Sequence, residues 1–336
     1  MGVMTETSSE AVRQATTTIE VDKPEYVAVT IPDFYRSILA EVPRLNPNYE
    51  PVKAESVDFM SKFCSFDKRM LSLVEKCDAA YFVAIVAPEA GPAEYRTLCD
   101  WMNWVFPFDD IFDEGELGDK PEAATEVMKS LRRPMEEMRA SDEALDHYEK
   151  RLSLVKWHDL IWERIRKRAT EGAQRRYAKA MARYCDGALI QVEDLATHKV
   201  PTPEEMLVTR QLSAGVSPLF ALVEYAYALQ IPDYVFEHPA IQEIEQLVSD
   251  FVLMYEQKGH QSQRHNVIYK IGAVARMHGF SPQEAFDHVG QMLESRYVRW
   301  DNATRAVPSW GGEVDEHVAT YIQGVANTAR ANLNWR

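Results

Sequence analysis

From Ile31 nearly to the C-terminus, apolar residues recur at spacings of three and four, the period of a helix that buries one face. Strand-like alternation is scarce. MLSLVEKCDAAYFVAIVA (70–87) is apolar on almost every face toward its end, which predicts a central buried helix. AEYRTLCDWMNWVFPFDDIFDEG predicts a long helix stopped at Gly115. AATEVMKSLRRPMEEMR and DEALDHYEKRLSLVKWHDLIWERIRKRA predict amphipathic helices with solvated charged faces, and QRRYAKAMARYCDGALIQVEDLATH another long one. THKVPTPEEM reads as a loop, after which Thr202 caps the next helix with Glu205 three residues on. Further helices are expected in SPLFALVEYAYAL, in AIQEIEQLVSDFVLMYEQ, from near His265, in SPQEAFDHVGQMLESRYVRW and in DEHVATYIQGVANTARANLNW. The fold class that follows is all-α, a single-domain helical bundle of ten or more helices. A helical-repeat protein would show a period of about 34 to 47 residues, which the sequence lacks. Residues 1–28, rich in Thr, Ser and Glu, read as a flexible tail, and 29–336 as the folded domain.

Composition and short motifs add several exclusions. The chain has 336 residues, 46% hydrophobic and 26% charged, enough for a large core. A net charge of −15 argues against nucleic acid, whose phosphates need an excess of Lys and Arg, and is compatible with a site that collects cations. Cys64, Cys77, Cys99 and Cys185 show no metal-like spacing and sit in apolar or helical surroundings, as reduced cytosolic thiols do. The N-terminal residues match neither a secretory signal nor the myristoylation pattern, and no stretch approaches the roughly 20 apolar residues of a membrane span. The expectation is a soluble, cytoplasmic protein.

The densest chemistry lies in WMNWVFPFDDIFDEGEL (101–117), where Asp109, Asp110, Asp113 and Glu114 stand directly behind a run of Trp and Phe. On a helix Asp109 and Asp113 share one face, a turn apart, where like charges repel and a counter-ion relieves them. Mg²⁺, a hard cation that prefers oxygen ligands and often brings substrate phosphates with it, suits such a pair. Trp101, Met102, Val105 and Phe106 lie below on the same side. A metal at the rim with an apolar wall beneath it fits an amphiphile with a charged head.

WVFPFDDIFDE resembles the aspartate-rich motif of class I terpene cyclases, in the fungal and bacterial sesquiterpene group. Later stretches are similar to that family in the same order: EDLATHKVPTPEEMLVTRQLSAGVSPLFALVEYAYALQIPD to the segment carrying a diphosphate-sensing arginine and a helix-breaking glycine, and QLVSDFVLMYEQ to the second metal motif. RHNVIYKI, SPQEAFDHVGQML and VPSWG…YIQGVANTARANLNW resemble the segments that follow, so the likeness spans roughly residues 30–336. The resemblance implies a helical bundle around a central apolar cavity, in which three Mg²⁺ ions bind the diphosphate of a prenyl substrate. The allylic C–O bond ionises and the cavity folds the carbocation until it cyclises and loses a proton. It implies farnesyl diphosphate as substrate and a sesquiterpene as product, a humulene-type macrocycle by likeness to fungal humulene cyclases. By this resemblance Asp109 and Asp113 are the catalytic metal ligands, with Ser249 and Gln257 on the second motif. Arg210 is catalytic and, with Lys258 and Arg264, contacts the diphosphate. Phe82, Val105, Phe106, Phe220, Leu253 and Trp335 line the cavity. As protein partner, the expectation is a second copy of the chain in a homodimer.

The sequence also departs from the family. The second motif falls on Ser249, Leu253 and Gln257 where the pattern has Asn, Ser or Thr, and Glu; only Asp250 matches, and Glu256 is one residue out of register. Gln211 stands where relatives commonly carry the second of two arginines, and the chain ends at NLNWR, before their C-terminal Arg-Tyr pair. Lys258, Arg264 and Lys270 offer compensating charge. Two alternatives stay open: a relative that binds a prenyl diphosphate without turning it over, and a cyclase for a C10 or C20 diphosphate. Prenyl chain elongation needs a second DDxxD, which is absent. His260 and His265 lie near the second motif, and His265, with no Cys or HExxH partner pattern, reads as structural rather than as a zinc ligand. For Trp310 and Trp335 the alternatives are the cavity wall and ordinary core packing.

Overall fold

The computed structural model describes residues 28–113, 115–140, 150–199, 201–254 and 278–335. Among these the secondary structure is helical, with no strand. Thirteen α-helices are described: α1 (Tyr49–Cys64), α2 (Lys68–Cys77), α3 (Ala79–Val86), α4 (Pro92–Asp113), α5 (Pro121–Glu136), α6 (Ser153–Arg168), α7 (Glu171–Ala196), α8 (Pro203–Ser213), α9 (Val216–Tyr227), α10 (Asp233–Phe236), α11 (Pro239–Met254), α12 (Pro282–Arg305) and α13 (Gly312–Asn334). The expected tail apart from Ala28, the helix near His265 and the residues Glu256, Gln257, Lys258, His260, Arg264, His265 and Lys270 lie outside the described residues.

Several boundaries follow from local chemistry. Thr202 accepts from the Glu205 amide at 3.2 Å while the Glu205 carboxylate accepts from the Thr202 amide at 2.8 Å, so the predicted capping box starts α8. Ser281 and Glu284 do the same for α12. The continuous helix expected over 70–87 is instead two helices, because Asp78 adopts left-handed geometry at φ 48°. That conformation costs a non-glycine residue roughly 1–2 kcal/mol. Here it turns the Asp78 carboxylate toward α1, where the Tyr49 hydroxyl donates at 2.5 Å and Lys53 at 2.6 Å. After the bend, α3 is buried at every position but Tyr81, as its composition requires.

α9 is also largely buried and packs against α4, α7, α11 and α13. α13 lies along α3, α9 and α11; α7 lies along α5, α8 and α9. Gly187 of α7 permits the α7–α8 approach, since a Cβ there would stand 2.6 Å from Leu212 Cβ. Three of the four cysteines are buried, Cys64 is partly so, and all are free thiols. No helix of the described residues is long and apolar enough to cross a membrane.

Candidate active site

α4 supplies both the core and the site. Trp104 is fully buried: its ring stacks on Phe108 at 4.6 Å and its indole N–H donates to the Leu154 carbonyl at 2.8 Å. A turn toward the N-terminus, the buried Asp100 carboxylate takes Arg96 at 2.8 Å, Arg164 at 2.5 Å and the Ser56 hydroxyl at 2.6 Å, so its charge is compensated. Much of the aromatic lead-in is therefore core that clamps α4, rather than cavity wall. Pro107 lacks the N–H that would bond the Asn103 carbonyl, so this grip substitutes for a missing backbone bond just before the acids.

Asp109 keeps part of its surface accessible, and Asp113, at the last turn of α4, is exposed. The Tyr184 hydroxyl of α7 donates to Asp109 Oδ1. Burial, and next the Asp113 carboxylate, lift the Asp109 carboxyl well above the usual range; Tyr184 and Arg210 pull it back. Arg210 of α8 is thus within electrostatic reach of Asp109. Burial and the Asp109 charge raise the Tyr184 phenol.

Beyond Arg210 the chain breaks at Gly215, whose φ of 68° separates α8 from α9. A Cβ on Gly215 would meet Trp101 Cη2 at 3.4 Å and Val105 Cγ2 at 3.5 Å. The break therefore faces α4 one turn below Asp109. Phe106 stacks on Trp335 at 5.4 Å, and Phe82 meets Trp335 edge-on at 5.7 Å. The Trp335 indole donates to the Cys77 carbonyl at 2.6 Å. Phe106, Trp335 and Phe82 thus form one aromatic group, Val105 stands beside Gly215, and Phe220 is buried on α9. Trp310 packs elsewhere, edge-on to His238 at 5.7 Å.

On α11, Ser249 is 8% exposed and its hydroxyl donates to the Glu245 carbonyl of its own helix at 3.0 Å; Leu253 is 2% exposed. The matching motif residue, Asp250, accepts from Gln211 at 3.2 Å, Gln246 at 3.0 Å and Arg296 at 2.9 Å. Sequence reasoning missed Tyr184 and Arg296, which local patterns cannot reach from so far along the chain, and also Gln246, one turn before Asp250 on the same helix. It did flag Gln211, as a lost arginine.

A hard divalent cation fits the α4 end. Two carboxylates share a helical face, and crowding of Asp109 by protein and by Asp113 disfavours its charge until a positive partner offsets it. Among the described residues no three His, Cys, Asp or Glu side chains converge, so phosphate oxygens and water would complete the shell, as Mg²⁺ tolerates.

Residues 100–299 match the model of "Terpene synthase family 2, C-terminal metal binding". The chain is 32% identical over 331 residues to a silphinene synthase of Penicillium patulum, covering 98% of this chain and 89% of that protein. It is 30% identical over 315 residues to a (+)-eremophilene synthase of Gibberella fujikuroi, covering 91% and 86%. Its fold is similar to the crystal structure of germacradien-4-ol synthase from Streptomyces citricolor, with a TM-score of 0.72 at 20% identity over 89% of this chain and 97% of that one.

Proposed function

The chain belongs to terpene synthase family 2, among the class I terpene cyclases, and from that premise we propose that it converts farnesyl diphosphate to a sesquiterpene hydrocarbon and diphosphate. The observation that carries the reading is the helical face shared by Asp109 and Asp113 on α4, with Tyr184 donating to Asp109, on the same helix as Phe106, whose ring stacks on Trp335, itself edge-on to Phe82. The charged head of a prenyl diphosphate belongs at the carboxylate end and its hydrocarbon among the rings. Mg²⁺ bound by Asp109 and Asp113, three ions by the family resemblance, supplies positive charge to the departing diphosphate.

The chain's own residues do the rest. Arg210 adds positive charge near Asp109, where the head group would sit. Ionisation leaves the C–O electron pair on the diphosphate and an allylic cation in the hydrocarbon. The faces of Phe106 and Trp335 offer that cation their negative quadrupoles. A closed, dry site would keep out the water that would trap it as an alcohol. A C–C bond then forms from a remote double bond, and loss of a proton gives the hydrocarbon. We assign residues 29–336 to this catalytic domain, place Ser249 and Gln257 on the second metal group, and put Lys258 and Arg264 beside Arg210 on the diphosphate. A humulene-type macrocycle is the product put forward.

The competing reading, a relative that binds a prenyl diphosphate without turnover, draws on Leu253, an apolar side chain on the second metal face. One experiment separates them. Purified protein is incubated with C10, C15 and C20 diphosphates and Mg²⁺, and volatiles are analysed. Hydrocarbon from the C15 substrate supports the proposal, and hydrocarbon from the C10 or C20 substrate alone replaces the substrate. Binding without product establishes the competing reading. Asp109→Asn and Asp109→Ala are expected to fold and to lose orders of magnitude in turnover.

A further inference from the structure

α11 carries the second metal face, and what fixes that helix is a buried charge pair. Asp250, next to Ser249, is 5% exposed. Its Oδ2 accepts from Arg296 Nε of α12 at 2.9 Å, and its Oδ1 from Gln211 Nε2 of α8 at 3.2 Å and Gln246 Nε2 at 3.0 Å. One carboxylate thus joins three helices. Arg296 is itself anchored, since its Nη1 donates to the Met292 carbonyl at 3.1 Å. The neighbouring residues repeat the contact in apolar form: Tyr297 of α12 stacks on Phe251 of α11 at 5.4 Å. α12 is held from outside by residues 30–37, through the Arg36–Glu294 pair, the Tyr297 hydroxyl donating to the Phe34 carbonyl at 3.3 Å, and Ser37 donating to Asp301 at 3.2 Å.

The location gives the contact its consequence. Gln211 follows Arg210, whose charge acts on Asp109, and Asp250 adjoins Ser249. The carboxylate therefore ties the arginine turn of α8 to the metal face of α11, the two sides that must close on one diphosphate. We infer that Arg296 is a positioning residue, acting through Asp250 to set Ser249 and Arg210 at their working separation. Asp250, with both oxygens committed to three donors, is an anchor rather than a metal ligand. This inference rests on the metal reading above, and it extends the site to α12.

The test reads metal binding apart from turnover. Inorganic pyrophosphate and increasing Mg²⁺ are added to the unaltered chain and its variants, and the Mg²⁺ concentration giving half-maximal thermal protection is recorded. Outer-shell partners of a metal site are commonly worth about 10–100-fold in metal affinity, so Arg296→Met is expected to raise that concentration about tenfold. Asp250→Asn should do the same, and the double variant no more than either single change, because the two residues act as one unit. Arg299→Met is the control. Arg299 bridges the same two helices to Glu243 at 2.7 Å but is 44% exposed, and its loss should stay within about twofold. Arg296→Lys keeps a charge beside Asp250 and should recover part of the shift, even where Arg296→Met folds poorly. A midpoint within twofold of the unaltered chain in both Arg296 variants overturns the inference, as do additive effects in the double variant. Absence of any Mg²⁺-dependent protection in the unaltered chain overturns the metal reading itself, and this inference with it.

Discussion

Tyr184→Phe isolates the hydroxyl that donates to Asp109, the carboxylate proposed to hold the metal. The ring lies beside Trp104 and Phe108, with centroids 6.3 and 6.4 Å away, and phenylalanine keeps that packing. Only the bond to Asp109 Oδ1 is removed. Hydrogen bonds to charged groups contribute about 1.5–3 kcal/mol, which is about 10- to 100-fold in an equilibrium constant. The lower end applies, because a bound cation replaces part of what the hydroxyl gave. Turnover of the C15 substrate should therefore fall about tenfold, and the half-saturating Mg²⁺ should rise by a similar factor. The assay is steady-state hydrocarbon release across a Mg²⁺ titration, with circular dichroism to check that the fold survives. The direction is informative: loss of the hydroxyl removes a contribution that favours the charged form of Asp109, so the variant should also need a higher pH at low Mg²⁺. A Tyr184→Phe protein with unchanged turnover and unchanged Mg²⁺ dependence would refute the claim that this contact organises the site.

Three further outcomes follow from other parts of the molecule. His158, 1% exposed and 2.8 Å from the Tyr177 hydroxyl, has its pKa pushed down from 6.5 to about 3 by burial and then by Arg151. The unfolded chain takes up this proton below pH 6.5 while the folded chain does not, so about 2 kcal/mol of stability should be lost between pH 6.5 and pH 5. His158→Phe should melt lower but with a flatter pH dependence over that window; an equally steep dependence would remove His158 as its source. Gly215→Ala forces a Cβ into left-handed backbone at a cost of about 1 kcal/mol, while its contacts with Trp101 and Val105 at 3.4 and 3.5 Å are ordinary. It should lower the melting temperature only slightly and change product ratios; unchanged ratios would place the break away from the reacting chain. Gln257→Ala should weaken Mg²⁺ dependence if that amide completes the second metal group, and unaltered kinetics would exclude it as a ligand.

What the sequence made legible was periodic or contiguous. The all-helical class, the capping box at Thr202, the helix of residues 92–113 and its acidic end each follow from spacings within a few turns. The misreading at Asp78 has the same origin. Apolar periodicity runs straight through it, and only the position of Lys53 and Tyr49 on another helix makes a left-handed bend affordable. Tyr184 is 75 positions from Asp109 and Arg296 is 46 from Asp250, so no local pattern joins them. One signal was available. An Asp in SDFVLM, amid apolar residues and beside a motif whose other positions have drifted, needs a buried partner of opposite charge, and Arg296 is that partner.

The placement of dense negative charge against dense aromatic surface on α4 is then a matter of rigidity. A helix end that carries like charges a turn apart tends to fray, and Pro107 removes one of the bonds that would resist this. Trp104 and Phe108, wholly buried against α6 and α7, hold the preceding turns through contacts that do not depend on the acids. The carboxylates are thus held in place by the core alone, and under the proposed function metal binding would not need to order the helix that carries them. The second side is built differently. Ser249 and Leu253 bring one hydroxyl and one apolar surface, and the neighbouring charge, Asp250, is committed to Arg296. Preorganisation therefore sits mainly in α4, while α11 contributes through how firmly α12 holds it in place.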